Sequence, residues 1–138
     1  MIKLKIVNPT KTIKNLKGET YPKSFPSSKE LEAIKNDTSK LERETIGNVI
    51  LNCLTNFIIQ DRKEGFYINL IAQSLLSNNK KIEFKDKIQK FLIDVLNEQT
   101  LIRTKVKDEK GEEKEEIKGL YQGWVISQIL EELGEKLE

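Results

Sequence analysis

The sequence predicts an α+β fold that is mostly helical, with three main helices plus a short helix and small β-hairpins at the N-terminus and in the C-terminal half. Three observations lead to this prediction. Between residues 27 and 98, and again near the C-terminus, apolar residues recur at spacings of three and four. Two shorter segments, near 2–7 and 101–106, alternate between polar and apolar residues. Finally, the 138 residues suffice for one domain with a real core.

Residues 1–26 are predicted to form a β-hairpin followed by an irregular crossing. Ile2, Leu4 and Ile6 alternate with charged residues before Asn8-Pro9, as in a short strand with one buried face. We expect residues 12–21 to form the second strand of this hairpin. Two prolines and three serines in residues 22–28 then favour an irregular connection.

Residues 27–98 are predicted to form the helical core. Ser27 precedes Glu30 by three positions, which is the spacing of a capping box and predicts a short helix near 28–35. Ser39 and Glu42 repeat that spacing and predict the start of the main helix, about 40–60. Asp61 then predicts the start of a second helix, about 63–77, which forms an antiparallel hairpin with the main one.

The third helix and the C-terminal half complete the single predicted domain, 1–138. A brief extended segment at residues 82–84 leads into a helix at about 85–98. Residues 99–120 are predicted to form a charged β-hairpin, with strands near 101–106 and 114–120 and a polar tip; a disordered acidic loop is the alternative. The final helix and tail occupy residues 121–138, and Gly134 is the expected C-cap of a helix over 121–133.

The composition excludes several kinds of catalytic site. The chain contains no histidine and one cysteine, so Ser-His-Asp and Cys-His mechanisms and His- or Cys-rich zinc sites are excluded. The seven glycines form no phosphate-binding pattern. Cys53 lies in the most apolar helical stretch and is expected to be a core residue. We therefore predict no catalytic, cofactor-binding or metal-binding residue, and a carboxylate-based enzyme is left as an alternative.

Charge is distributed unevenly along the chain, although the net charge is only +2. Residues 1–40 hold nine lysines against four acidic residues, whereas residues 106–138 hold ten acidic residues against five lysines. The basic segment provides the second hypothesis, an accessory protein that binds nucleic acid. The chain contains three arginines, which are few for a surface that reads bases. The candidate phosphate contacts are Lys3, Lys5, Lys11, Lys14 and Lys17.

Large aromatic residues supply the candidate anchors for a protein partner. Tyr67, Tyr121 and Trp124 lie at helix starts or on apolar stripes, so each has an explanation as a core residue. One that is exposed would instead be an interface anchor. Wide apolar faces on the second and last helices also leave self-association open.

No apolar stretch approaches the roughly 20 residues that a membrane helix needs. The N-terminus alternates charged and apolar residues and lacks the apolar core of a signal peptide. We therefore expect a cytoplasmic protein that has no membrane partner.

Three stretches of the chain carry a resemblance to a known group of proteins. They are TIGNVILNCLTNFIIQ at 45–60, the segment 63–96 with Leu70, Ile71 and Ala72, and GWVISQILEEL at 123–133. Together they resemble small accessory proteins encoded by bacteriophages and prophages. The resemblance rests mainly on core-packing positions and supplies no active site. It implies a non-enzymatic interaction or assembly protein in the host cytoplasm. The segment 107–120 departs from the compact pattern of the group.

Overall fold

A computed structural model describes residues 5–77 and 81–134. These residues form two separate two-stranded antiparallel sheets and five α-helices, so the α+β prediction is confirmed. Four of the helices have ten residues or more, where the sequence predicted three main ones. In chain order the elements are β1 (Lys5–Val7), α1 (Ser28–Ala33), α2 (Ile46–Thr55), α3 (Arg62–Leu76), β2 (Ile82–Phe84), α4 (Asp86–Glu98), β3 (Ile102–Lys107), β4 (Glu113–Lys118) and α5 (Gly123–Glu132).

Local capping fixes the starts of α1 and α3, as predicted. The Ser27 hydroxyl accepts the Glu30 amide at 3.2 Å, and the Glu30 carboxylate accepts the Ser27 amide at 3.2 Å. Asp61 accepts the Glu64 amide at 2.9 Å. These interactions satisfy amides that a helix start leaves without a partner, and they involve residues only three apart, so the sequence pattern was enough to find them.

The predicted start of the main helix is wrong. Ser39 donates to Asp37 within a 3-10 turn at Thr38–Lys40 and makes no capping box. The helix begins instead after Thr45, whose hydroxyl accepts the Asn48 amide at 3.2 Å. The residues between are extended, since Arg43 and Thr45 each form a β-bridge to the N-terminal region. Tertiary pairing therefore delays the helix by about one and a half turns.

The same helix also ends earlier than predicted. The Thr55 hydroxyl donates to the Leu51 carbonyl at 2.8 Å, and the Asn56 amide group donates to the Asn52 carbonyl at 2.9 Å. Side chains that bond the last carbonyls compete with the next turn of backbone hydrogen bonds. Ile58, which the periodicity placed on the buried stripe, consequently lies outside the helix and is 77% exposed.

The predicted N-terminal hairpin is wrong in its pairing. β1 pairs antiparallel with β2, and Val7 stands opposite Ile82. Val7, Ile82 and Phe84 are all buried, so this long-range pairing places apolar side chains in the core. Residues 12–22 form single bridges instead, from Lys14 to Thr20 around a turn, and from residues 12 and 22 to the segment before α2.

The core lies between α2, α4, α5 and the β1–β2 pair. Cys53 is fully buried there, as predicted, and desolvation raises the pKa of its thiol to about 12, which makes it a poor nucleophile. Leu133 ends α5 and is followed by Gly134 at φ +85°, the left-handed conformation expected of a C-terminal glycine. The fully buried apolar residues include Val7, Ile13, Val49, Ile50, Ile71, Leu92, Val95, Leu96 and Ile129.

Within the described ranges, no helix combines the length and the apolar character needed to cross a membrane.

Candidate protein-binding surface

The β3–β4 hairpin, residues 102–118, projects from the domain and is called the ribbon below. Its strands pair in register from Ile102 opposite Lys118 to Lys107 opposite Glu113, which confirms the predicted charged hairpin. All twelve strand residues are exposed. At the tip, Asp108 accepts two backbone amides at 2.9 Å each, and Gly111 adopts φ +78°. These contacts form a defined turn at the tip, and not the disordered acidic loop that was the alternative prediction.

The two faces of the ribbon differ in chemistry because side chains alternate along a strand. On one face, β3 contributes Ile102, Thr104 and Val106, opposite three charged residues of β4. On the other face, β3 contributes only bases, opposite acidic residues and one isoleucine of β4. The residues of that second face are Arg103, Lys105, Lys107, Glu113, Glu115 and Ile117.

Charge on the ribbon is balanced. It carries six basic and six acidic side chains, and two ion pairs join them: Arg103 with Glu115 at 3.9 Å and Lys114 with Asp108 at 3.7 Å. Exposed pairs of this kind contribute little stability. Because bases and acids alternate on one surface, the ribbon suits a zwitterionic protein surface better than a row of phosphates.

The root of the ribbon is held firmly to the domain. The Leu101 amide donates to the Tyr121 carbonyl at 2.5 Å, and the Leu120 and Tyr121 amides both donate to the Gln99 carbonyl. Gly119 adopts φ +94°, and a Cβ added there would lie 2.3 Å from the Thr100 carbonyl oxygen. This root therefore requires glycine, and it fixes the direction in which the exposed strands leave the domain.

A cleft of about 340 Å³ adjoins this root. It brings the exposed Ile58 side chain of the α2–α3 connection next to the end of β4. An apolar side chain of the domain body is thus available beside the ribbon. The cleft is lined by Asn56, Ile58, Glu98, Gln99, Lys118, Gly119 and Leu120.

The three predicted aromatic anchors lie in different surroundings. Tyr67 is half-buried and packs on Phe91, with ring centroids 5.5 Å apart. Trp124 is half-buried and meets Tyr21 edge to face at 5.8 Å. Tyr121 is only 6% exposed, so it belongs to the core and cannot anchor a partner at the surface. The structure does not bring the three residues together into one patch with the ribbon.

Tyr121 instead belongs to a buried polar network that the sequence pattern did not indicate. Its hydroxyl lies 2.6 Å from the Ser24 hydroxyl and accepts the Asn52 amide at 2.9 Å. The fully buried Glu44 carboxylate accepts the Ser24 backbone amide at 3.0 Å and the Asn48 side-chain amide at 2.6 Å. Desolvation raises the pKa of Tyr121 to about 12. The network joins the loop before α1 to α2 and to the start of α5.

The candidate lysines for nucleic acid are only partly described. Lys3 and the side chain of Lys5 lie outside the described residues. Lys11 forms an ion pair with Glu132 of α5, and Gln128 of α5 accepts the Lys14 amide at 2.9 Å and donates to the Lys14 carbonyl at 2.8 Å. The basic and acidic ends of the chain therefore meet within one molecule. Lys14 and Lys17 are exposed.

Carboxylates in the described part of the chain form no group of three that could hold a metal ion, even when cysteine is counted with them. Of the acidic clusters on which a carboxylate-based enzyme would depend, Glu131 and Glu132 lie at the end of α5, and the others lie on the ribbon and its tip. There, a cleft of about 360 Å³ is lined by Asp108, Glu109 and Glu112 together with two lysines. The arrangement mixes opposite charges on an exposed turn.

Comparison with family models, with curated proteins and with solved structures finds no match for this chain. The resemblance to phage proteins consequently stays a prediction.

Sequence periodicity missed the apolar residues that face solvent. Ile58 follows Thr55-Asn56, whose side chains bond the last carbonyls of α2. That dipeptide was the available sequence signal that the helix ends before Ile58. Two apolar residues of the ribbon, Val106 and Ile117, gave a clearer signal, because each lies between two charged residues of its strand. The large exposed apolar residues of the described chain are Leu16, Phe25, Ile58, Ile59, Phe66, Leu76, Ile102, Val106 and Ile117.

Proposed function

We propose that this chain is a non-enzymatic interaction protein that binds another protein through the ribbon. The observation that carries the proposal is that all twelve strand residues of a well-formed hairpin are exposed while its root is fixed to the domain. A two-stranded hairpin is marginally stable in water unless something packs against it. A partner that covers the ribbon would supply that packing.

The apolar residues of the ribbon support this proposal. Ile102, Val106 and Ile117 are 50%, 39% and 55% exposed although each belongs to a regular strand. Burying such side chains against a partner would stabilise a complex by about 25 cal/mol for each Å² of apolar surface removed from water. The balanced charges around them would set which partner is accepted.

The resemblance to small phage and prophage proteins favours an accessory role in the host cytoplasm for this interaction. Such a role needs a folded domain with a presented binding element, and it needs no active site. The fixed root and the exposed ribbon satisfy that requirement.

Site-specific photo-crosslinking in host cells tests the proposal. A photo-reactive phenylalanine analogue replaces Val106 on one face of the ribbon or Ile117 on the other. The control places it at Lys87, an exposed residue of α4 outside the ribbon. We expect a discrete adduct with a second protein from a ribbon position and none from Lys87, with the adduct identified by mass spectrometry.

Three outcomes would contradict the proposal. The first is the absence of an adduct from both ribbon positions, and the second is the same set of adducts from Lys87. The third is an adduct that contains only two copies of this chain, because it would make the ribbon a self-association surface. A matched measurement of solution mass by light scattering separates the last case from the others.

A further inference from the structure

The outer edge of β3 is the most uniform recognition element on the ribbon. Its side chains divide by face into three bases and an Ile-Thr-Val set, whereas each face of β4 mixes acidic residues with lysine or isoleucine. Within the described residues the sheet contains β3 and β4 alone, so the outer edge of β3 has no strand paired to it. An unpaired edge presents amide and carbonyl groups that can accept another strand.

We infer that this edge binds an extended segment of the partner protein in which acidic and apolar residues alternate. The inference rests on the proposed function. The pairing of β3 with β4 already shows the charge preference, since Lys105 stands opposite Glu115 and Lys107 opposite Glu113. An added strand would place its acidic residues beside the same bases. Its apolar residues would then fall on the other face, beside Ile102 and Val106.

Pairing between the β3 strands of two copies is disfavoured by charge. An antiparallel arrangement centred on Thr104 places Arg103 of one copy opposite Lys105 of the other, and the reverse pair repeats the repulsion. Like charges directly opposite each other destabilise a sheet, and lysines on an edge strand commonly prevent this pairing. The edge therefore discriminates against its own sequence.

Pairing of β4 of one copy with β3 of the next matches in charge but fails for steric reasons. In a continued sheet, successive copies are displaced by two strand spacings, about 9.6 Å. A domain of this length has a radius of gyration of about 14 Å, so neighbouring bodies attached at the same end of their ribbons would overlap. Both arrangements of paired copies are therefore disfavoured, and the occupant that we infer is a strand of a different protein.

A peptide titration with the full chain tests this inference. The probe is a fluorescein-labelled peptide in which Glu and Val alternate over six residues, the length of β3. Two control peptides have the same length: one carries Lys in place of Glu, and the other groups the Glu residues before the Val residues. We expect saturable fluorescence anisotropy with the alternating Glu peptide, and an affinity lower by about tenfold or more for each control.

Two charge-reversal variants of the chain complete the design. The variant K105E/K107E changes the edge, and K87E/K90E makes the same charge change at exposed positions of α4. We expect K105E/K107E to lose the Glu peptide and gain the Lys peptide, while K87E/K90E keeps the original preference.

Failure of the Glu peptide to bind would overturn the inference. Equal binding of the grouped peptide would also overturn it, because electrostatic attraction without strand pairing would then explain the affinity. An equal loss in both charge-reversal variants would have the same meaning. If the ribbon positions still crosslink to a second protein in these cases, the proposed function stands and the edge preference alone is wrong.

Discussion

Two conservative substitutions, Tyr121→Phe and Tyr21→Phe, should have different effects on stability although both remove one buried hydroxyl: only the first should destabilise the protein. The Tyr121 hydroxyl has two partners, the Ser24 hydroxyl at 2.6 Å and the Asn52 amide at 2.9 Å. The Tyr21 hydroxyl is buried without a hydrogen-bond partner among the described residues. Each substitution keeps the ring, so the comparison isolates the hydroxyl groups.

The magnitude follows from what each substitution leaves behind. Phenylalanine at position 121 leaves the Asn52 amide group and the Ser24 hydroxyl without this partner, at a cost of about 1–3 kcal/mol. For a chain of this length that corresponds to a decrease in Tm of about 3–10 °C. Phenylalanine at position 21 removes an unsatisfied buried group, so we expect stability that is unchanged or higher by up to about 1 kcal/mol.

Urea and thermal unfolding followed by circular dichroism at pH 7 measure both changes. Ser24→Ala combined with Tyr121→Phe should cost less than the sum of the single effects, because the two substitutions remove one shared hydrogen bond. Tyr67→Phe serves as a control at a half-buried tyrosine outside the network, and it should change stability by less than about 0.5 kcal/mol. If Tyr21→Phe is as destabilising as Tyr121→Phe, the assignment of hydrogen bonds in this network is wrong.

Three further predictions concern the ribbon and the ionisable core. Gly119→Ala should destabilise the protein by at least about 3 kcal/mol in urea unfolding, because residue 119 has φ +94° and the new Cβ would collide with the Thr100 carbonyl. Gly111→Ala should cost only about 1 kcal/mol, because residue 111 has φ +78° but open space around it. Replacing residues 103–117 with a short Gly-Ser turn should change the free energy of unfolding by less than about 1 kcal/mol, because no residue of β3 or β4 is buried. A larger loss of stability would show that the ribbon packs on the domain. The free energy of unfolding should be constant near neutral pH and fall above about pH 9. Burial raises the pKa of Cys53 from 9.0 to about 12 and that of Tyr121 from 10.0 to about 12, so the unfolded chain loses these protons at a lower pH than the folded chain does. Cys53→Ala should move the onset of the fall toward pH 10, and an unchanged onset would refute this cause.

Features that depend on neighbours in sequence could be predicted from the sequence. The capping at Ser27 and Asp61 acts over three residues, and the ribbon joins strands that are separated by one short turn. Each of these elements places its own hydrogen-bond partners within reach before any tertiary packing forms. The candidate surface could be anticipated to the same extent, as a charged hairpin.

Features that depend on distant residues were missed for a physical reason. β1 had a closer partner in sequence, yet pairing with β2 buries Val7 against Ile82 and Phe84, and burial of apolar surface outweighs the entropy of closing the longer loop. The start of α2 moved for a related reason, because β-bridges hold the residues before it extended. Local signals at Ser39 and Glu42 could not reveal that competition.

The sequence by itself determined the fold class, the absence of histidine chemistry, the apolar setting of Cys53 and the charged hairpin, because each follows from composition or from short-range periodicity. Only the tertiary structure decided that Tyr121 and Glu44 share a buried network and that Lys11 meets Glu132. It also decided that no strand of the described residues pairs with the outer edge of β3. These facts depend on which distant segments exclude water from one another. Long-range packing of that kind decides which of the many polar groups in this chain are left at the surface for a partner.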